Sequence, residues 1–145
     1  MNPDPRATLV LALLALAACG DPPPASSNAT EEATRNVEAV GSELSDRAAA
    51  LAVMTDEEAR TGVQELIDQA ARGLRAVQDS EQARLLAVEV RRAIDRLKLA
   101  KKLGAGVELG ELLEAVKGLI ERFQTEPPVM RPLVALRMNL QSLTR

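Results

Sequence analysis

The chain has 145 residues, a formal net charge of −3 and a hydrophobic content of 46%. It contains no His, Trp or Tyr and a single Phe, so it lacks the aromatic side chains on which single-stranded nucleic acids stack. The absence of His also removes the commonest general base and the commonest metal ligand. We therefore expect no nucleic-acid partner, no metal site and no cofactor.

The N-terminus contains a nearly continuous apolar run, ATLVLALLALAA, over residues 7–18. Arg6 precedes this run, and Asp4 opposes its charge. The run has the length of the hydrophobic region of a signal peptide and is shorter than the roughly 20 residues that a membrane-spanning helix needs. The pattern predicts a cleaved secretory signal peptide over residues 1–18.

The apolar run ends in Leu16-Ala17-Ala18-Cys19, which contains the only cysteine of the chain. This tetrapeptide resembles the lipobox of bacterial lipoproteins. The resemblance implies that the Cys19 thiol receives a diacylglyceryl group and that a lipoprotein signal peptidase cuts between Ala18 and Cys19, after which the new amino group can be acylated. The alternatives are a cysteine buried in an apolar helix and ordinary secretion with cleavage after small residues.

The residue after the lipobox cysteine bears on the choice of membrane. In Gram-negative lipoproteins, an Asp at that position favours retention in the inner membrane. This chain has Gly20 instead, followed by Asp21. The resemblance therefore implies anchoring to the outer membrane on its periplasmic side, with the inner membrane and the outer surface as the alternatives.

The segment GDPPPASSNAT, residues 20–30, combines three consecutive prolines with small polar residues. Proline runs favour the extended polyproline II conformation, and small polar residues add flexibility. We predict the lipidated cysteine and a flexible linker over residues 19–30, followed by a folded domain over residues 31–145.

Five amphipathic helices are predicted in this domain, because apolar residues recur at steps of three and four. The predicted spans are 29–54, 56–78, 80–103, 108–125 and 132–143. No segment alternates with a period of two, and no repeat of 20 to 50 residues is present. The fold class is therefore all-α: a small helical bundle of four to five amphipathic helices behind a signal peptide and a Pro-rich tether, with an aliphatic, alanine-rich core.

Local signals indicate where these helices begin. Asn28 is the expected N-cap of the first helix, and Thr55 with Glu58 matches a capping box for the second. Asp79 with Gln82 provides a cap for the third.

Glycine and proline indicate where the later helices end. Gly104 is expected to be the left-handed residue that terminates the third helix. Pro127 and Pro128 are expected to stop the fourth helix, and Pro132 to lie near the first position of the fifth.

The third predicted helix has a second conspicuous face opposite its core-facing side. Residues 84–102 carry seven basic and two acidic side chains, whereas residues 31–68 carry three basic and ten acidic ones. The face combines a basic ridge of Arg84, Arg91, Lys98 and Lys102 with an apolar strip of Leu85, Val88, Leu99 and Leu103. One interpretation is a central helix whose ridge pairs with the acidic first helices. The other is a docking face for an acidic partner segment or for anionic lipid headgroups.

Carboxylates at three-residue steps open the fourth predicted helix, namely Glu108, Glu111 and Glu114. They are compatible with a cation site or an acid/base pair. Compensation of the helix dipole on a solvated face is the simpler interpretation. None of the serines lies in a Gly-x-Ser-x-Gly setting.

These features favour binding over catalysis. The lone cysteine is assigned to lipid and His is absent, so we expect no enzymatic activity. The sequence favours a membrane-anchored, periplasm-facing lipoprotein that acts as a non-enzymatic adaptor. Its expected partners are membrane lipid, through acylated Cys19, and another envelope protein. The alternative is a structural or stress-related envelope lipoprotein that forms homo-oligomers through the apolar strip of the third helix.

Overall fold

Every regular element in the described part of the chain is an α-helix. The computed structural model describes residues 22–104 and 106–144, so the predicted signal peptide and Cys19 lie outside the described residues. The helices are α1 Pro22–Ala52, α2 Asp56–Ala76, α3 Ser80–Leu99, α4 Gly110–Arg122 and α5 Pro127–Leu143. The predicted all-α helical fold is confirmed.

Helix α1 begins at Pro22 and not near Ala29, so residues 22–30 are helical and do not form the expected extended linker. Because α1 is continuous through this stretch, Asn28 is not its N-cap. Pro22, Pro23 and Pro24 fill the first three positions. The first backbone N–H groups of a helix have no acceptor within it, so proline is tolerated there, and its fixed φ already suits a helix. The three prolines are therefore compatible both with an extended linker and with the first turn of a helix.

The predicted caps of α2 and α3 are confirmed. Thr55 Oγ1 accepts a hydrogen bond from the Glu58 N–H at 3.3 Å, and the Glu58 carboxylate accepts one from the Thr55 N–H at 3.1 Å. Asp79 Oδ1 accepts from the Gln82 N–H at 2.9 Å. The buried side chain of Gln82 also accepts the N–H of Gln78 at 2.9 Å. Both helix starts are thus fixed by side chains close in sequence.

Helix α3 ends at Leu99, one turn before the predicted end, and Gly104 does not terminate it. Lys101 adopts the left-handed conformation with φ 58°. The Lys102 N–H bonds the carbonyl of Leu97 at 2.8 Å, and the Lys101 N–H bonds that of Lys98 at 3.0 Å. This pair of bonds is a Schellman motif, in which glycine is the usual left-handed residue.

Pro127 and Pro128 begin α5, although they were expected to stop the preceding helix. Helix α4 has already ended at Arg122. Pro132, expected near the first position of the last helix, lies inside α5. A proline pair cannot continue a helix but fits the first turn of a new one, which explains the longer α5.

The helices enclose an aliphatic core. Helix α3 packs along α5, α2 packs along α4, and α4 packs along α5. Helix α1 adds Leu44, Ala48 and Leu51, all buried. Small residues permit close approach, since a Cβ on Gly62 of α2 would lie 2.5 Å from Cδ2 of Leu51. Residues 34–145 form one compact unit around this core.

Helices α1 and α3 lie side by side and run in the same direction. A Cβ on Gly41 would lie 2.8 Å from Cγ of Glu89, and farther along both helices the Ser45 carbonyl accepts a hydrogen bond from Arg96 at 3.3 Å. The C-terminal ends of both helices therefore lie at one end of the bundle, which we call the distal end. Thr34, the first residue of the compact unit, lies at the other end.

Replacing Lys101 by glycine should stabilise the fold. A side chain in the left-handed region costs about 1 kcal/mol, and glycine avoids this cost. We expect Lys101→Gly to raise the free energy of unfolding by about 1 kcal/mol, measured by urea denaturation. The matched control is Lys98→Gly, at an exposed position inside α3, which should lower it by about 1 kcal/mol. A Lys101→Gly protein that is no more stable than the wild type would contradict the Schellman geometry.

Candidate functional site

The structure divides the eight residues of the predicted docking face. The six that lie on α3 are Arg84, Leu85, Val88, Arg91, Lys98 and Leu99. Lys102 and Leu103 follow the Schellman motif, so they do not continue the helical face as predicted. The early end of α3 is the physical reason for this difference.

Lys102 and Leu103 take part in holding the fold together. The Lys102 side chain is only 10% exposed, and its Nζ lies 2.7 Å from Oδ1 of Asp56 at the start of α2. This hydrogen bond, and then the charge of Lys102, lower the pKa of Asp56. Leu103 packs partly buried against the core. The segment after α3 is thereby attached to the N-terminus of α2.

The basic ridge pairs mostly with carboxylates of α3 itself. Arg84 holds Glu81 with two hydrogen bonds, its Nε lying 3.0 Å from Oε2, and this contact lowers the pKa of Glu81. Arg91 lies 3.9 Å from Asp95, which also accepts a hydrogen bond from Asn139 of α5 at 2.7 Å. The expected pairing with the acidic first helices is found only at Lys102 within the described residues. Lys98 forms no ion pair with any described residue.

A groove of about 560 Å³ runs between α1 and α3, and we call it the α1–α3 groove. Apolar side chains from both helices form its floor: Val37, Leu85 and Val88. Its α1 wall is lined by Glu38, Ser42, Ser45 and Asp46, and its α3 wall by Arg84, Glu89 and Arg92. The predicted residues Arg84, Leu85 and Val88 thus meet side chains of α1 that periodicity alone could not assign to them.

The two walls of the groove carry opposite charges that are not joined to each other. Arg92 binds Glu89 on its own helix at 2.8 Å, as Arg84 binds Glu81. Glu38 and Asp46 form no ion pair with any residue that the structure describes. The groove therefore presents an acidic wall on α1 and, on α3, a wall whose two arginines each keep a carboxylate partner on their own helix, with Val37, Leu85 and Val88 as its apolar lining.

A second surface lies at the distal end. Four large apolar side chains are strongly exposed among the described residues: Val53 at 87%, Met54 at 39%, Leu99 at 85% and Met138 at 63%. The first three lie at the distal end, where α1 and α3 finish. The distal patch consists of these three and the neighbouring exposed cations: Val53, Met54, Lys98, Leu99 and Lys101. Periodicity predicted Leu99 and Lys98 as surface residues, whereas Val53 and Met54 fell within the predicted first helix, which in the structure ends at Ala52.

Glu108, Glu111 and Glu114 line one open pocket beside Asp68 and Arg75, but each is engaged separately. Helix α4 begins at Gly110, so Glu108 precedes it, and the backbone of Glu108 exchanges two hydrogen bonds with the Gln64 side chain at 2.9 and 3.1 Å. Glu111 lies 3.9 Å from Arg75, and Glu114 lies 3.5 Å from Lys117. Within residues 22–104 and 106–144, no group of three or more acidic side chains is placed to hold a metal ion.

Comparison with known proteins adds no relative. No protein-family model matches the chain, and neither a curated protein nor a solved structure matches it. In the described part of the chain, none of the helices combines the length and apolarity needed to cross a membrane.

The contact between Lys102 and Asp56 should make stability depend on pH. Because the folded-state pKa of Asp56 is lowered, this stabilisation is present above the unfolded pKa, near 3.8, and is lost as pH falls through the folded pKa. Asp56→Asn should therefore be less stable than the wild type at pH 6, and the difference should shrink toward pH 3. Urea denaturation at several pH values measures it.

Glu57→Gln is the matched control, because Glu57 is also exposed in the first turn of α2 but forms no ion pair with a described residue. Glu57→Gln should change the free energy of unfolding at pH 6 by less than Asp56→Asn does. A difference between wild type and Asp56→Asn that stays constant from pH 6 to pH 3 would contradict the contact.

Proposed function

We propose that this protein is a lipid-anchored, periplasm-facing lipoprotein of the outer membrane that acts as a non-enzymatic adaptor for another envelope protein. The lipobox-like Leu16-Ala17-Ala18-Cys19 supports the anchor. The lack of His, together with the assignment of the only cysteine to lipid, supports binding over catalysis. The helical bundle then presents the partner-binding surface.

The observation that carries the adaptor proposal is the position of the exposed apolar side chains. Contiguous exposed apolar patches on soluble proteins often mark sites of protein–protein interaction. Here Val53, Met54 and Leu99 lie at the distal end, while Thr34, the first residue of the compact unit, lies at the opposite end. A bundle tethered through its N-terminal segment can thus present the distal patch to a partner.

The charges of the distal patch indicate the chemistry of the partner. Lys98 and Lys101 are exposed on either side of Leu99, and neither has an ion pair with a described residue. An apolar partner segment flanked by acidic residues would bury Leu99 and Val53 while pairing with the two lysines. Apolar contacts supply the affinity of such an interface, and rim charges raise the association rate.

Replacing Cys19 by alanine tests the anchor. Two or three acyl chains on one cysteine hold a protein firmly on a membrane, whereas a single chain binds reversibly. We expect the wild-type protein to be found in the membrane fraction and to incorporate radiolabelled palmitate. The Cys19→Ala protein should incorporate no palmitate, whether its signal peptide is retained or is processed elsewhere. Met54→Ala is the control, because it leaves the lipobox intact and should be labelled like the wild type. Equal labelling of Cys19→Ala and wild type would contradict lipidation at Cys19.

A photo-crosslinking amino acid at Leu99 or Val53 tests the adaptor site. In cells that produce the full chain, we expect each position to yield a discrete adduct with a second envelope protein. Met138 is the matched control, because it is also an exposed apolar residue but lies on α5. It should not yield that adduct.

Three outcomes are decisive for this experiment. The same adduct at Met138 would mean that the distal patch is not the binding surface. The absence of any adduct at Leu99 and Val53 would contradict the adaptor proposal. An adduct with twice the mass of the chain would indicate that a second copy, and not another protein, lies beside this patch.

A further inference from the structure

The α1–α3 groove has the spacing of a helix-packing surface along both of its walls. On α1, Glu38, Ser42 and Ser45 follow one another at steps of four and three, and on α3 Leu85, Val88 and Arg92 follow at steps of three and four. Side chains at alternating three- and four-residue steps lie on one side of a helix, where a second helix can contact them along its length. The groove therefore suits a helical partner aligned with α1 and α3.

The charges of the walls restrict what that partner can be. An acidic helix would be attracted by Arg84 and Arg92, which Glu81 and Glu89 only partly neutralise, and repelled by Glu38 and Asp46. A basic helix would meet the reverse. A suitable partner must carry both signs, side by side, about an apolar centre. The groove itself is such a surface.

We propose that two copies of this chain pair through the α1–α3 groove, with their helices parallel. A twofold axis parallel to the helices places the acidic α1 wall of each copy opposite the basic α3 wall of the other. Val37, Leu85 and Val88 of the two copies then meet near the axis. The same patch serves both copies, as in other twofold interfaces.

The levels of the charged residues fit this arrangement. Gly41 lies beside Glu89, so these two residues mark one level on α1 and α3. At a rise of 1.5 Å per residue, Glu38 lies about 4.5 Å and Arg84 about 7.5 Å from that level toward the N-termini. Asp46 lies about 7.5 Å and Arg92 about 4.5 Å toward the distal end. Glu38 of one copy and Arg84 of the other therefore differ in level by about 3 Å, as do Asp46 and Arg92, and an arginine side chain can span this offset.

An antiparallel pair is excluded by the same charges. A twofold axis that lies across the groove, perpendicular to the helices, would place Glu38 of one copy near Asp46 of the other, and arginines near arginines. Like charges that face each other at an interface repel and select against this arrangement. The parallel pair also brings both copies of Thr34 to one end, so that two lipid anchors can enter one membrane.

Cysteine crosslinking of the full chain tests the pair. Val88→Cys places a thiol near the proposed axis, while the wild-type chain, with Cys19 alone, gives the background. With copper phenanthroline as the oxidant, we expect a dimer that is several-fold more abundant for Val88→Cys than for Gly118→Cys. Gly118 is the matched control because it is exposed on α4 with open space at its Cβ position. Equal crosslinking of the two variants would overturn the proposal.

Differently tagged copies determine the direction of the pair. When one copy carries Glu38→Cys and the other Arg84→Cys, we expect more mixed dimer than when the copies carry Glu38→Cys and Asp46→Cys. The opposite order would overturn the parallel arrangement.

Charge reversal separates electrostatic pairing from damage to the fold. In the Val88→Cys background, Arg84→Glu with Arg92→Glu should reduce the dimer several-fold, and adding Glu38→Arg with Asp46→Arg should restore it. Failure of the second pair to restore the dimer would overturn the charge pairing. These readouts concern the groove and not the distal patch, so their outcome is independent of the crosslinks at Leu99 and Val53.

Discussion

Helix α3 is held in place by one stripe of apolar residues, and both candidate surfaces depend on this burial. Leu86, Val90, Ile94 and Leu97 are all fully buried. Burying a side chain of this size contributes about 1.5–3 kcal/mol, so rotating the helix by even a quarter turn would forfeit several such contributions. Because the buried arc fixes the rotation of α3, it also fixes which residues remain outside. Leu85 and Val88 face the groove, and Leu99 faces solvent, for this reason.

The end of α3 then determines how these outer residues are divided. If the helix had continued to Leu103, the basic ridge would have formed one long face as the periodicity predicts. The left-handed Lys101 instead turns the chain, and Lys102 reaches Asp56 at the start of α2. This exposed carboxylate and nearly buried lysine stabilise the fold only modestly, since one partner stays in water. Their effect on geometry is larger, because the contact holds the segment after α3 beside the start of α2.

Local interactions were predictable from the sequence, and interactions between distant segments were not. Thr55 with Glu58 and Asp79 with Gln82 are caps formed within four residues, so the letters alone identify them. The prolines were misinterpreted because one residue type suits two contexts: Pro22 and Pro127 both begin helices where a linker or a stop was expected. The groove requires knowing which side of α1 meets α3. That depends on the packing of Gly41 against Glu89, and no local signal encodes it.

Anchoring would change what small surfaces can achieve. The distal patch has three strongly exposed apolar side chains, which is modest for an interface that must hold two free proteins together in solution. Molecules confined to one membrane meet at a far higher effective concentration, and linking two patches in one assembly raises the overall affinity without any new contact. A parallel pair formed through the groove would place two distal patches at the same end. In the proposed assembly the three features would act together: the lipid would supply confinement, the groove would supply pairing and the distal patch would supply recognition.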